Sequence, residues 1–312
     1  LAKLGLGPES VVHSLDFCGS TRVAGEPSPA PRPPPPPAEG GERYEIGEEV
    51  ARGGFGVVHR GRDRRLDRPV AVKRVRGVAT EETWRRFETE ARIAAALDHP
   101  GIVRVLDVDR DAGGIFLILE WVEGSDFQRV LRTGTLPPGE VARLGASLAR
   151  ALDYAHGRGV LHLDVAPGNV IRTGPESVKV VDFGLAAALS RAGARGPVGT
   201  PGFIAPEVLA GHPPDARADV YGAGMTLAAL LLGPTPSREG LANMPAPVAR
   251  TLWAATADDP DRRLASAADL AVCLERPGSA PTAAPERACA ACGSRIAAGH
   301  RQKMEKGRSH RS

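Results

Sequence analysis

The apolar pattern of this 312-residue chain changes period once, near Gly124, and that change limits what it can fold into. Between 44 and 119 the runs YEIGEEV, GVVHRG, PVAVKRV, IVRVLDV and IFLILEW each have the length and composition of a strand, and one helical stretch at 81–97 interrupts them. Beyond Gly124 the spacing is helical, with Val141, Leu144, Leu148, Leu152 and Ala155 on one face, a face that must be buried. Two short apolar runs, 170–171 and 178–181, break the helical region, which resumes at Pro206 and ends near Leu274. The pattern predicts an α+β chain: a small sheet carrying one helix, then a larger, mainly helical part.

The flanks read differently. From 27 to 41 the sequence is PSPAPRPPPPPAEGG, which lacks the backbone donors for a ladder or a helix and favours an extended polyproline spacer over a ligand for a proline-recognition module. Residues 1–26 show no period, and a Pro/Ala-rich stretch after 276 leads to a Cys pair and a basic end. The expected organisation is a disordered, Pro-rich 1–42, a folded 43–276 and a flexible 277–312. The chain opens on Leu1, as a fragment or a chain translated from an unusual start codon would.

Composition narrows the partners. Forty basic against 37 acidic residues leave a net charge of +3, too small to mark a nucleic-acid or membrane-surface binder. The most apolar stretch, 220–233, is shorter than a bilayer crossing requires and reads as a buried helix. Cys18, Cys273, Cys289 and Cys292 form no disulfide framework, and no leader opens the chain, so the expected compartment is the cytoplasm. Nothing in the sequence bears on oligomeric state.

Chemistry enters with Ala51-Arg52-Gly53-Gly54-Phe55-Gly56-Val57-Val58, between two strand-like runs. Glycines here let backbone N–H groups approach a phosphate, although a ligand-free hairpin turn would look the same. The run Val70-Ala71-Val72-Lys73 puts an amine inside an apolar strand, where an unpaired ammonium is costly. Glu90, on the one helix of the sheet region, is the expected carboxylate partner.

Further on, His162-Leu163-Asp164-Val165-Ala166-Pro167-Gly168-Asn169 precedes Asp182-Phe183-Gly184, and Gly199-Thr200 precedes Ala205-Pro206-Glu207. In order and spacing these segments resemble the eukaryotic-type serine/threonine protein kinases, over about 43–276, and the wider composition suggests a bacterial member. The resemblance implies a bilobal fold, with an N-lobe at about 43–123 and a C-lobe at about 124–276, and it implies ATP and Mg2+ between the lobes. It implies that Ala51, Gly53, Gly54, Phe55 and Gly56 cover the phosphates and that Lys73, paired with Glu90, holds them. Val58 and Ala71 would roof the adenine, Ile171 would floor it, the backbone from Glu120 to Val122 would meet its edge, and Leu119 would stand behind it. Asp164 would act on the acceptor hydroxyl, Asn169 and Asp182 would bind magnesium, and Thr200 would hydrogen-bond Asp164. Asp219 would anchor the catalytic loop, Arg263 would pair with Glu207, and His162 would pack beneath Phe183. The implied partners are ATP and a protein substrate.

Departures from the family pattern bear on rate and control. Ala51 adds a Cβ where the family prefers glycine, which predicts modestly weaker ATP binding. Leu163 replaces the arginine before the catalytic aspartate, and Ser190 is the one hydroxyl between Gly184 and Gly199, so activity independent of activation-loop phosphorylation is expected. Ala166 stands where serine/threonine kinases carry a lysine, which predicts slower transfer. The stretch between Leu232 and Asp259 shows no obvious substrate-docking helix. These losses keep a second reading open, a pseudokinase acting as a nucleotide-binding scaffold. Phosphorylation of a small molecule, suggested by the wording Pro167-Gly168-Asn169, is disfavoured by the segment Ala205-Pro206-Glu207.

Cys289-Ala290-Ala291-Cys292 has the spacing of half a zinc ribbon, but four ligands are needed and no second pair exists. Two free thiols are the favoured reading, with Zn2+ as the alternative. Cys273, His59 and His99 read as structural.

Overall fold

A computed structural model describes residues 43–53, 56–75, 81–111, 114–183 and 199–276, apart from the side chains of Glu82, Thr83 and Arg86. The described strands β1 (Tyr44–Gly53), β2 (Gly56–Asp63), β3 (Arg68–Val75), β4 (Val105–Asp111) and β5 (Gly114–Glu120) form one antiparallel sheet in the order β1-β2-β3-β5-β4. In β5, alternation sorts Ile115, Leu117 and Leu119 to one face and Phe116 and Ile118 to the other. The first face packs on Phe87 and Ala91, one helical turn apart on helix α1 (Glu81–Ala95), and the second packs on Tyr44, Val70 and Val72. Lys73 shares the α1 side of β3 with Ala71 and Val75, so its amine heads for the lobe boundary.

The second region begins with β6 (Ser125–Asp126), α2 (Phe127–Leu131) and α3 (Pro138–His156). Val141, Leu144, Leu148, Leu152 and Ala155 of α3 are fully buried, the face that the spacing predicts. A 3-10 turn, Pro167–Asn169, leads into β7 (Val170–Arg172) and β8 (Val178–Val180), which complete a small antiparallel sheet with β6. After α4 (Pro206–Leu209) comes α5 (Ala216–Leu232), apolar on nearly every side and buried on nearly every side. That is the signature of a central core helix. No helix among the described residues is long and apolar enough to cross a membrane.

The stretch between Leu232 and Asp259, where the sequence shows no obvious substrate-docking helix, is helical in part. It holds α6 (Arg238–Ala242) and α7 (Pro247–Ala255), followed by α8 (Ala267–Glu275). Ser237 caps α6 by accepting from the Gly240 N–H, and Pro247 sits at the first position of α7, where its missing N–H costs nothing. Val248, Ala249, Leu252 and Ala255 of α7 are buried. The architecture is α+β and bilobal: a β-rich N-lobe with one helix and a larger, mainly helical C-lobe. Cys273 is buried in α8.

Candidate active site

A cleft of about 710 Å³ opens between the two lobes. From the N-lobe it is lined by Ala51, Gly53, Gly56, Val58, Ala71 and Lys73, from the connecting segment by Leu119, Glu120 and Val122, and from the C-lobe by Asp164, Asn169, Ile171 and Asp182. These are residues singled out from the sequence, now on one surface. Gly54 and Phe55 lie outside the described residues. Glu90, half-buried on α1, is not part of the lining.

The glycine segment is the tip of the β1–β2 hairpin, where Gly53 and Gly56 face one another. A Cβ on Gly53 would meet nothing within 4 Å, whereas one on Gly56 would stand 1.9 Å from the Arg74 carbonyl oxygen. Close approach to β3 therefore demands glycine at 56, whatever the hairpin covers.

Lys73, 5% exposed, donates to Asp182 Oδ2 at 2.5 Å across the lobes. The expected Lys73–Glu90 pair is thus replaced by a Lys73–Asp182 pair. The cause is backbone shape: Asp182 takes a left-handed conformation, φ 67°, with its carboxylate toward β3 and its neighbour Phe183 turned into the core.

Asp164 is 6% exposed and held from three directions. Thr200 gives both its N–H and its hydroxyl to Oδ1 at 2.7 Å, and Asn169 Nδ2 reaches Oδ2 and the Asp164 carbonyl, each at 2.8 Å. Two acceptors on Nδ2 orient the Asn169 amide, so its Oδ1 is left for another partner.

Behind this loop lies Asp219, 1% exposed on α5. It accepts the N–H groups of His162 and Leu163 at 2.7 Å and pairs with His156 Nε2 at 2.8 Å. Burial pushes the Asp219 carboxyl up, but the His156 hydrogen bond, the charges of His156 and His162 and the His162 N–H outweigh it and hold the carboxyl below its ordinary range. This anchor keeps Leu163 in a left-handed conformation, φ 64°. His162 is fully buried, bonds the Val181 carbonyl through Nε2 at 2.7 Å and lies edge-on to Phe183 at 4.7 Å, as a packing role requires.

Arg263 grips Glu207 through two hydrogen bonds of 2.7 and 2.9 Å and donates also to the Arg217 and Ala257 carbonyls. Burial raises the Glu207 carboxyl, and the Arg263 hydrogen bond overcomes this, leaving it below the ordinary range.

Sequence reading missed Val103, Gln128, Arg129 and Val181, which also line the cleft, while Trp121 falls within the stretch from Glu120 to Val122 expected at the purine edge. The signal of the missed residues is tertiary: they come from segments far apart in the chain that no local motif links. Asp182 and Asn169 supply hard oxygen donors of the kind magnesium takes, and both line the one cleft. Cys289 and Cys292 lie outside the described residues, and among the described residues no group of three or more His, Cys, Asp or Glu could hold a metal, so nothing supports Zn2+.

The sequence model of the family described as protein kinase domain matches residues 44–262. The serine/threonine-protein kinase PknB of Mycobacterium tuberculosis is 37% identical over 207 residues, covering 62% of this chain and 33% of that protein. PknB of Mycobacterium leprae is 36% identical over 206 residues with the same shares, and a probable serine/threonine-protein kinase of Streptomyces coelicolor is 37% identical over 203 residues, 61% of this chain and 30% of that one. The chain thus spans about a third of these relatives. Among solved structures, the kinase domain of Mycobacterium tuberculosis PknI superposes with a TM-score of 0.63 at 28% identity, covering 76% of this chain and 97% of that one.

Proposed function

This chain belongs to the protein kinase domain family, and from that premise we propose that it transfers the γ-phosphoryl group of ATP to a serine or threonine hydroxyl of a protein. The observation that carries the reading is the convergence of Lys73, Asp164, Asn169 and Asp182 on one cleft, with Asp164 held by Thr200 and Asn169. In the reaction the acceptor oxygen bonds to the γ-phosphorus, its proton passes to Asp164, and the bond to the β-phosphate oxygen breaks to release ADP. Asp164 is buried enough to be rigid and exposed enough to reach the hydroxyl.

Lys73 would bind the α- and β-phosphates, leaving its partner Asp182 for the metal. Asn169 Oδ1 and the Asp182 carboxylate would hold magnesium, which supplies charge neutralisation to the phosphates when bound. Val58, Ala71 and Ile171 offer apolar walls for a purine, and the main chain at Val122 makes no hydrogen bond among the described residues, which suits it to the purine edge. Gly53 and Gly56, with Gly54, Phe55 and Ala51, would close over the phosphates. The domain would work in the cytoplasm, where ATP is.

Independence from activation-loop phosphorylation is part of the proposal. The position that would carry a phosphate-reading arginine is Leu163, and its backbone is already pinned by Asp219. The segment from Gly184 through Ser190 to 198 lies outside the described residues. A second reading, a nucleotide-binding pseudokinase, is favoured by Ala166, which is 2% exposed and brings no cation to the cleft, and by Lys73 being engaged with Asp182 rather than Glu90.

Turnover of γ-labelled ATP with magnesium and a generic protein acceptor separates the two. The kinase reading expects label on serine or threonine, reduced at least about a hundredfold in Asp164→Ala. A folded wild-type chain that binds ATP and transfers nothing would leave the scaffold.

A further inference from the structure

Helix α5 meets the loop that carries Asp164 at two points. The first is Asp219, which takes the His162 and Leu163 N–H groups. The second lies seven residues on, two turns along the same face of the helix. There the Thr226 hydroxyl donates to the Val165 carbonyl at 3.1 Å. Between the two, Gly222 lets the loop settle on the helix, because a Cβ there would stand 3.0 Å from the Val165 carbonyl oxygen and 3.1 Å from the Val165 Cβ. Glycine weakens a helix interior, and here the close approach of the loop requires it.

The Thr226–Val165 bond is not one that a helix makes for itself. Threonine in a helix commonly turns its hydroxyl back to the carbonyl four residues earlier, as Thr89 does to Arg85 at 2.8 Å in α1. Thr226, fully buried, reaches across to the loop instead. Val165 is buried as well, and among the described residues no other donor reaches its carbonyl. Without the hydroxyl that oxygen would be buried and unpaired, and the peptide between 165 and 166 would have to turn. Asp164 lies between the two ties, so a turn of that peptide moves its carboxylate. The same turn reaches Asn169, whose N–H bonds the Ala166 carbonyl at 2.9 Å.

We propose that Thr226 is a positioning residue of phosphoryl transfer: its hydroxyl fixes the backbone that follows Asp164, so that the carboxylate and the Asn169 amide keep their places in the cleft. Thr226 itself touches neither nucleotide nor acceptor. The inference rests on the kinase reading and adds a residue to that same site.

The test compares Thr226→Val, which keeps the volume and removes the hydroxyl, with Thr226→Ser and Thr256→Val. Thr256 is an equally buried threonine packed on Gly224 of α5, but its hydroxyl bonds the Leu252 carbonyl at 2.9 Å rather than the loop. Steady-state turnover and hydrogen exchange of the amides from His162 to Asn169 are measured at a temperature where all four proteins are folded. Thr226→Val is expected to lose about tenfold in kcat, with KM for ATP within about twofold, and to exchange the loop amides about tenfold faster. Thr226→Ser and Thr256→Val are expected to keep wild-type values of both. An unchanged kcat in Thr226→Val overturns the assignment, as does a loss that serine fails to restore. A loss shared equally by Thr256→Val also overturns it, because the effect is then a general loosening of the core. If the wild type transfers nothing to any acceptor, the kinase reading falls, and unchanged loop exchange in Thr226→Val would then remove the positioning role too.

Discussion

In the proposed reaction Asp164 is the residue on which the chemistry turns, and its geometry depends on Thr200. That one side chain supplies a hydroxyl at 2.7 Å to the same oxygen that its own N–H already holds. Thr200→Val keeps the backbone bond and the volume but removes the hydroxyl, leaving a nearly buried carboxylate one donor short. We expect kcat to fall about tenfold with KM for ATP unchanged, and Thr200→Ser to restore it, measured by steady-state turnover. Lys73 was legible in the sequence because an amine is out of place in an apolar strand, and Asp164, Asn169 and Asp182 were legible through the resemblance of their segments to the kinases. Their pairing was not legible. Lys73 meets Asp182 through the backbone turn at 182, and side-chain types alone favour Glu90 equally well.

At the scale of elements, the hairpin of β1 and β2 is limited by its neighbour β3. A methyl on Gly56 would occupy the space of the Arg74 carbonyl, 1.9 Å away, so the strands must part. Gly56→Ala is expected to destabilise the domain by about 3 kcal/mol and to weaken ATP binding, read together by urea unfolding and nucleotide titration. An unchanged unfolding midpoint would mean that the hairpin is not held to β3 in solution. The strands and the long helices α3 and α5 followed from period, since one stripe or one alternation per element is a local property. The short helices α6 and α7 did not, because five and nine residues carry too few turns to establish a stripe. Their caps, Ser237 and Pro247, were the available signal.

Across the whole molecule, two carboxylates, the buried Asp219 and the partly buried Glu207, tie the C-lobe together and give its stability a pH dependence. Both are held below their ordinary values of 3.8 and 4.5, so their ionised forms stabilise the fold above those values and the contribution is lost as pH falls through the lowered ones. Glu207→Gln strips Arg263 of its counter-charge and should cost about 3 kcal/mol near neutral pH, with the gap to wild type narrowing in acid below about pH 4.5. Urea midpoints across that range check the sign: a gap that widened in acid would refute the pairing. What the sequence determined by itself was the order of elements and the α+β pattern, because period is carried in short stretches, while the resemblance of its segments to the kinases implied the two lobes and the residues of the cleft. Only the tertiary structure decided that Asp182 takes Lys73, that Gly56 answers to β3, and that Gln128 and Arg129 line one cleft with Asp164. Those facts depend on distances between segments far apart in the chain, and such distances are set by how buried faces pack, which no local pattern encodes.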